Sequence, residues 1–432
     1  MCLVASPVDT PPAQAPPERP ETTGNLLRIR EFRLLCITQL ATGLRMPMLF
    51  FTQAWYVSEA APDERRVLLL GLLASVRGAV FLLYILFGGA FADRFPRRTM
   101  LLASHAFALG GVTVTGALLL LPGAGEGEGA WLWVMLILFS GFALINAQDL
   151  PTRSAMIHDM VPPARVTSAV TIFQLALAGT MLVGSPIAGW SIEHLGFGAT
   201  YMLAGAPHLI VLLVVLRMRS GGTAADPAST EESVLANVRA GIDILRRDPV
   251  VRWIVLLTWI GFATGISVMG LLVAAWVRDV LELGATGWGV MAVFWGIGAV
   301  LASLVLMARG EYGLKGPLFL GATLMFGLAI LGFSLSRNVA SAFLFNALAG
   351  AAFQVIVIVG IASVQTAVPP RLLGRVMALL MLAQGIAQVG AFALGALSQL
   401  IGMEVLFPAA GVAIMLLTLA TVGLQRPLRT FN

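Results

Sequence analysis

The feature that most constrains this chain is a succession of apolar runs, each about as long as a lipid bilayer is thick. A helix needs about 20 apolar residues to cross a hydrocarbon layer of about 30 Å. Runs of that length occupy 33–57, 67–92, 99–121, 131–150, 167–190, 199–217, 251–277, 288–308, 317–335, 340–366, 373–400 and 402–424. Charged residues make up only 11% of the 432, against about 25% in ordinary soluble chains. That is too little charge to coat a water-soluble surface of this size. The same composition excludes an intrinsically disordered chain, and two cysteines, Cys2 and Cys36, cannot build a disulfide framework.

The expected fold is therefore an all-α membrane protein of twelve transmembrane helices in two six-helix halves. The predicted organisation is a disordered cytoplasmic tail over 1–30, a first half over 31–217, a linker over 218–250, a second half over 251–424 and a short cytoplasmic tail over 425–432. Met1 to Glu21 are rich in Pro and Ala without an apolar core, unlike a signal peptide. Basic residues set the orientation. With the N-terminus in the cytoplasm, 21 of the 27 arginines and lysines fall on the cytoplasmic side and four on the other, leaving Arg45 and Arg77 inside spans. Both termini are thus expected inside a cell inner membrane. Seven tryptophans, Trp55, Trp276 and Trp288 among them, lie near run ends, where amphipathic rings prefer the membrane interface.

The chain repeats itself. VPPARVTSAVTIF at 161–173 and VPPRLLGRVMALL at 368–380 each lie between the fourth and fifth spans of their half. A parallel repeat of two six-span halves is a transporter architecture. The linker predicts an amphipathic helix: Ser229 and Glu232 fit a capping box, Val234, Val238, Ile242 and Leu245 recur at helical spacing, and Asp248-Pro249 ends it.

Between the second and third spans stands Gly89-Ala-Phe-Ala-Asp93-Arg94-Phe-Pro-Arg97-Arg98. Gly89 lets two helices approach closely. Asp93 sits at a helix boundary, and Arg94, Arg97 and Arg98 are placed to pair with a carboxylate, for which Asp149 near the end of the fourth run is the natural choice. The segment resembles the signature loop of the major facilitator superfamily, with Pro96 where the general pattern has Gly. The resemblance implies a gating role for Gly89, Asp93, Arg94, Arg97, Arg98 and Asp149. In the fifth span, Gly184-Ser-Pro186-Ile-Ala-Gly189 resembles the kink motif of the superfamily's exporters. FRLLCITQLATGL at 32–44, DLPTRSAM at 149–156 and LLGRVMAL at 372–379 resemble the efflux branch that includes the enterobactin exporter. In that branch the first span often carries an acid near its middle; here the region reads Gly43-Leu-Arg45-Met46-Pro47.

Polar groups inside spans mark candidate sites. Thr38, Thr42, Arg45 and Thr52 form one helical stripe, and Arg77 has Tyr84 two turns on. No acid stands at that depth, so the two arginines are expected to lack a buried counter-ion and to attract an anionic group, which guanidinium binds in bidentate fashion. The alternative is structural, hydrogen bonding to helix carbonyls. Gln174, Gln384 and Gln388 are further candidate substrate contacts, and His208 is the candidate proton carrier, the one near-neutral titrating group expected at mid-depth.

The chain carries no phosphate-binding G-x-x-x-x-G-K-S/T loop, no metal-spaced Cys/His cluster and no catalytic triad pattern. The expectation is a non-enzymatic, cofactor-free, monomeric secondary transporter. It would move a small drug-like or siderophore-like molecule outward by alternating access, with protons as the candidate coupling ion although no acid stands at mid-membrane. The competing readings are an importer of a small organic anion and a non-transporting receptor on the same fold.

Overall fold

A computed structural model describes residues 23–92, 96–141, 149, 152–154, 156–157, 159–162, 165–219, 234–309 and 313–431. Ten helical stretches in it are long and apolar enough to cross a membrane. One of them, Ser168–Arg217, is 50 residues long and breaks at Gly196, whose φ of 79° an L side chain rarely adopts. It therefore crosses twice. The helix Trp131–Gly141 opens the remaining span, and the total is twelve.

In chain order, spans one to three are Arg30–Ala60, Arg66–Ala92 and Arg97–Leu118. Span four starts at Trp131, and spans five and six share the helices Val166–Leu203 and Gly205–Arg217. Span seven runs from Pro249 to Asp279, and span eight is Ala285–Arg309. Spans nine to twelve are Lys315–Leu335, Val339–Ala367, Pro370–Ile401 and Met403–Leu424. An even number of crossings returns the chain to one side. There Arg30 Nη2 donates to the Arg217 carbonyl at 2.8 Å, and Gly316 N donates to the Phe431 carbonyl at 3.0 Å. This side is the terminal end below, and the opposite side the far end.

The repeat is structural as well as textual. Val161 N donates to the Ile157 carbonyl and Val368 N to the Val364 carbonyl, at 3.1 and 3.0 Å, closing the helices before each repeat. Arg165 N then donates to the Pro162 carbonyl and Leu372 N to the Pro369 carbonyl, at 2.8 and 2.9 Å. Both valines are buried. The same Val-Pro turn thus aims span five and span eleven in equivalent ways.

Small residues decide which spans touch. Span two packs along span eleven, where a Cβ on Gly71 would meet the Ala391 carbonyl and one on Gly78 the Gln388 side chain. Span five packs against span eight, where a Cβ on Gly189 would meet the Ala285 carbonyl and one on Gly289 the Ser185 carbonyl. Without hydrophobic drive between helices in lipid, such close backbone approach supplies the packing.

Span seven is irregular. It begins under Asp248, whose Oδ1 accepts from Val250 N and Val251 N at 2.8 and 3.1 Å, with Pro249 in the first turn. After Gly261 it widens into π-helical turns over Phe262–Ile266 and Val268–Leu272, and Gly270 leaves the helix with ψ of −107°. Ser267 Oγ reaches across to the Ala387 carbonyl of span eleven at 2.5 Å.

The linker and the tryptophans each bear on an expectation, and only the second needs correction. The linker helix forms over Val234–Arg247 and rests on span eleven, but Ser229 and Glu232 lie outside the described residues. Trp55, Trp276 and Trp288 do not sit at the lipid interface. All three are buried, Trp288 against Phe51 and Trp55, and Trp276 stacked on Phe407 at 4.6 Å.

Candidate functional site

The polar centre of the molecule is a buried cluster among spans one, three, four and six. Asp149 is its hub. Arg153, one turn later on the same helix, donates to Asp149 through Nε and Nη2, both at 2.9 Å. Arg45 of span one donates to Asp149 Oδ2 at 3.2 Å. His105 Nε2 of span three lies 3.2 Å from Asp149 Oδ1, and His105 Nδ1 lies 3.0 Å from His208 Nδ1 of span six. Arg153 also donates to the Gln39 side chain, and its guanidinium lies 5.8 Å from the Phe173 ring of span five. Each member of this cluster is no more than 3% exposed.

This arrangement corrects the reading of Arg45. The arginine has a buried counter-ion, and it comes from span four. The fourth apolar run ends at 150, so the sequence reading puts Asp149 near the end of its span. The helix continues through 152–154, 156–157 and 159–160, which puts the carboxylate about three turns inside it. The stripe beside Arg45 is correspondingly buried. Thr38 and Thr42 are buried, and the hydroxyls of Thr38 and Thr52 bond back to their own helix, to the Leu35 and Met48 carbonyls at 2.7 and 2.6 Å.

It also corrects the partner assigned to the loop arginines. Arg97 Nη1 pairs with Asp159 Oδ2 at 2.6 Å. Arg98 caps the end of span six, donating to the Val215 and Leu216 carbonyls at 3.2 and 3.0 Å. Gly89 lies in the last turn of span two, while Asp93 and Arg94 fall outside the described residues.

A second polar group lies beside the first. Arg77 Nη1 donates to Gln53 Oε1 at 3.2 Å, Gln53 Nε2 donates to the Tyr201 hydroxyl at 2.8 Å, and the guanidinium stands 5.6 Å from the Phe50 ring centre. Among the described residues Arg77 has no carboxylate partner. Tyr84 is half-buried on span two, Gln388 half-buried on span eleven, and Gln174 and Gln384 are exposed; the structure does not bring these four together with Arg77 by any described bond. In the kink motif, Gly184 packs against Pro47, Pro186 lies inside the helix, and Gly189 meets span eight, so the motif joins span five to spans one and eight.

His105, Arg153, Gln53 and Tyr201 are absent from the candidates drawn from sequence. Two signals were available: the i, i+4 spacing of Asp149 and Arg153, and a second histidine, His105, inside an apolar run. His208 is thus one of two histidines at depth.

Among the described residues, several polar contacts between the first six and last six spans lie at the far end. Arg66 Nη1 of span two pairs with Asp279 Oδ2 of span seven at 2.5 Å and also with Asp63. Glu193 accepts from Thr286 N at 3.1 Å, and Gln399 donates to the Glu64 carbonyl. Deeper in the membrane, about two and a half turns into span two, Ser75 Oγ donates to the Gln388 and Val389 carbonyls of span eleven at 3.1 and 3.0 Å. Trp288 of span eight packs on span one, its ring centre 4.2 Å from that of Phe51 and 5.9 Å from that of Trp55.

The profile of the transmembrane secretion effector family matches residues 22–432. A comparison with curated proteins finds no match. Solved structures share the architecture at low identity. A bacterial homolog of the human lysosomal transporter Spinster, in an inward-facing and unoccupied conformation, has a TM-score of 0.68 and 16% identity, over 93% of this chain and 98% of that one. The nucleoside transporter NupG gives 0.66 at 13% identity, over 90% and 99% of the two chains. The peptide transporter POT in complex with sulfate gives 0.72 at 15%, over 95% and 99%. These likenesses establish the major facilitator fold.

Proposed function

This chain belongs to the transmembrane secretion effector family of the major facilitator superfamily, and on that footing we propose that it exports a small molecule across the cell inner membrane by alternating access. The observation that carries the reading is the set of polar contacts that, among the described residues, join the two groups of six spans at the far end. A molecule latched on one side has the form of one state of an alternating-access cycle. The bias of basic residues supports placing the terminal end in the cytoplasm. The closed far end is then the exit gate, and the drug-like or siderophore-like cargo loads from within. An ion gradient drives the cycle, in keeping with a sequence that lacks an ATP-binding loop.

Within this reading, anion recognition passes from Arg45 to Arg77. Arg45 is already matched by Asp149. Arg77 has an amide oxygen and an aromatic face for company. A guanidinium at mid-bilayer costs at least about 2.5–3.5 kcal/mol on the lenient insertion scale, and an acidic group on the cargo would offset that cost. Gln53 and Tyr201 hold the arginine in place.

The test is a deletion strain challenged with a panel of drugs and siderophore-like compounds. Retention of at least one compound above the parent, reversed by the intact gene and not by Arg77→Gln, is the expected result. Equal retention across the panel would favour a receptor on this fold, and reduced entry of an organic anion would favour import.

A further inference from the structure

At the terminal end, arginines gather around the last turn of span six. Arg28 closes the short helix Thr23–Arg28, Arg30 and Arg33 lie in the first turn of span one, and Arg98 lies in that of span three. Arg217 ends the helix of span six, and Arg219 follows it. Bonds hold these pieces together. Leu26 is buried with Phe32 and Leu35, which seats the short helix against span one. Arg30 Nη2 donates to the Arg217 carbonyl at 2.8 Å, and Arg98 donates to the Val215 and Leu216 carbonyls at 3.2 and 3.0 Å. Arg33 Nη1 reaches the Leu27 carbonyl at 3.5 Å.

Charge does not balance here. Among the described residues, the one carboxylate bonded to any of these six arginines is Glu31, which accepts from Arg30 Nη1 at 2.6 Å and from the Arg219 backbone N–H at 3.1 Å. The side chains of Arg28, Arg217 and Arg219 are exposed, and no described hydrogen bond uses them. Crowded guanidiniums repel one another until an anion joins them, and their planar fork of donors matches a phosphate. The adjoining surface is apolar. Leu209, Leu213 and Leu216 of span six are exposed and recur at helical spacing, so one greasy stripe runs up to Arg217. Leu27 is exposed beside Arg28.

We propose that this arginine shelf is a binding site for an anionic phospholipid, whose phosphate lies among Arg30, Arg217 and Arg219 and whose acyl chains lie along the leucines of span six. A phosphate that carries acyl chains meets both surfaces, whereas a free phosphate would meet the guanidiniums alone. Attraction to a charged membrane needs only net charge, and it falls off within a Debye length. The shelf offers more, because the bonds of Arg30 and Arg98 to the end of span six fix the planes of their guanidiniums. The lipid supplies the missing counter-charge and staples the segment before span one to the end of span six. The site needs only a headgroup layer at the terminal end, so it stands apart from the direction of transport and from the cargo.

Native mass spectrometry of the full chain, released from nanodiscs of equal parts phosphatidylglycerol and phosphatidylcholine, tests the site. Phosphatidylglycerol should be retained in preference to phosphatidylcholine. Removing two guanidiniums in Arg217→Gln/Arg219→Gln should cut that retention on the order of tenfold. Arg65→Gln/Arg337→Gln removes the same charge from exposed positions at the far end and should retain the lipid as the wild type does. Equal retention of the two lipids by the wild type would overturn the site. An equal loss in both double variants would overturn it too, since net charge alone would then explain the binding. A measurement without variants is photo-crosslinking of the wild type with a diazirine-bearing phosphatidylglycerol. Adducts should concentrate in 27–33 and 209–219, and an even spread over the lipid-facing helices would count against the shelf. Sodium phosphate that raises the melting temperature in detergent as much as phosphatidylglycerol does would assign the shelf to free phosphate and overturn the lipid.

Discussion

The first six spans bury charge and the last six, among the described residues, bury none. Arg45, Arg66, His105, Asp149, Arg153 and His208 are all buried and all precede the linker. The buried polar residues of the last six spans are Ser, Thr and Asn, and they bond mostly to carbonyls of their own helix, as Thr258, Thr323 and Thr418 do at 2.7 to 2.8 Å. Their interior is held instead by rings, Trp276 on Phe407, and Phe353 against Phe262, Trp295 and Phe326. Two copies of one architecture have thus taken different interiors. An ion network in a low-dielectric setting has discrete protonation and pairing states, whereas a packed aromatic core offers no such switch. The comparison teaches that, among the described residues, buried ion pairing is confined to the first six spans, while the last six pack through rings and small polar side chains.

The sharpest way to break this contrast is Asp149→Ala. It strands two buried guanidiniums and should destabilise the protein by about 3–5 kcal/mol. Thermal unfolding of the purified protein in detergent would read this as a large loss of melting temperature or of folded yield. A near-neutral outcome would mean that the cluster is hydrated and not a buried network.

Arg66→Gln addresses the link between the two groups of spans. Arg66 is buried while its partners Asp63 and Asp279 are partly in solvent, so the loss should fall near the lower end of about 1.5–3 kcal/mol. It should appear as a shift towards a far-end-open population. Spin labels at the exposed Glu126 and Arg337 would report a longer distance in the variant.

Gly289→Ala tests the same closure through packing alone. The added methyl would lie 2.5 Å from the Ser185 carbonyl oxygen, a backbone atom that cannot swing aside. Overpacking of this kind costs about 1–3 kcal/mol. The same spin-label pair should lengthen, without the salt dependence expected for Arg66→Gln.

The smallest effect belongs to the last six spans. Asn346 Nδ2 donates to the Met291 carbonyl between spans ten and eight at 2.6 Å. Interhelical bonds in membranes average about 0.6 kcal/mol, so Asn346→Leu should change the melting temperature little. A loss comparable to that of Asp149→Ala would erase the distinction between the two interiors.

The sequence by itself determined the fold class, the twelve crossings and the repeat. Bilayer thickness imposes a length on each run, and hydropathy is a local property that can be summed along the chain. The two Val-Pro turns were equally legible, because proline restricts its own backbone and that of its neighbour. The break of spans five and six at Gly196 was visible as a polar interval between two apolar runs.

The site was legible in its residues and not in its pairings. Arg45, Arg77 and His208 stood out because ionisable groups in apolar runs are costly, and Asp149 only as a carboxylate within reach of the loop arginines. Their partners lie far along the chain, 104 residues between Arg45 and Asp149 and 103 between His105 and His208. No periodicity connects such positions. Depth was hidden too, since a helix that leaves the apolar run without stopping carries its last acid inside the protein, as span four does with Asp149. Tertiary structure alone decided which charge met which, because helix packing sets distance and burial, and those two quantities govern whether a buried ion is paired or stranded.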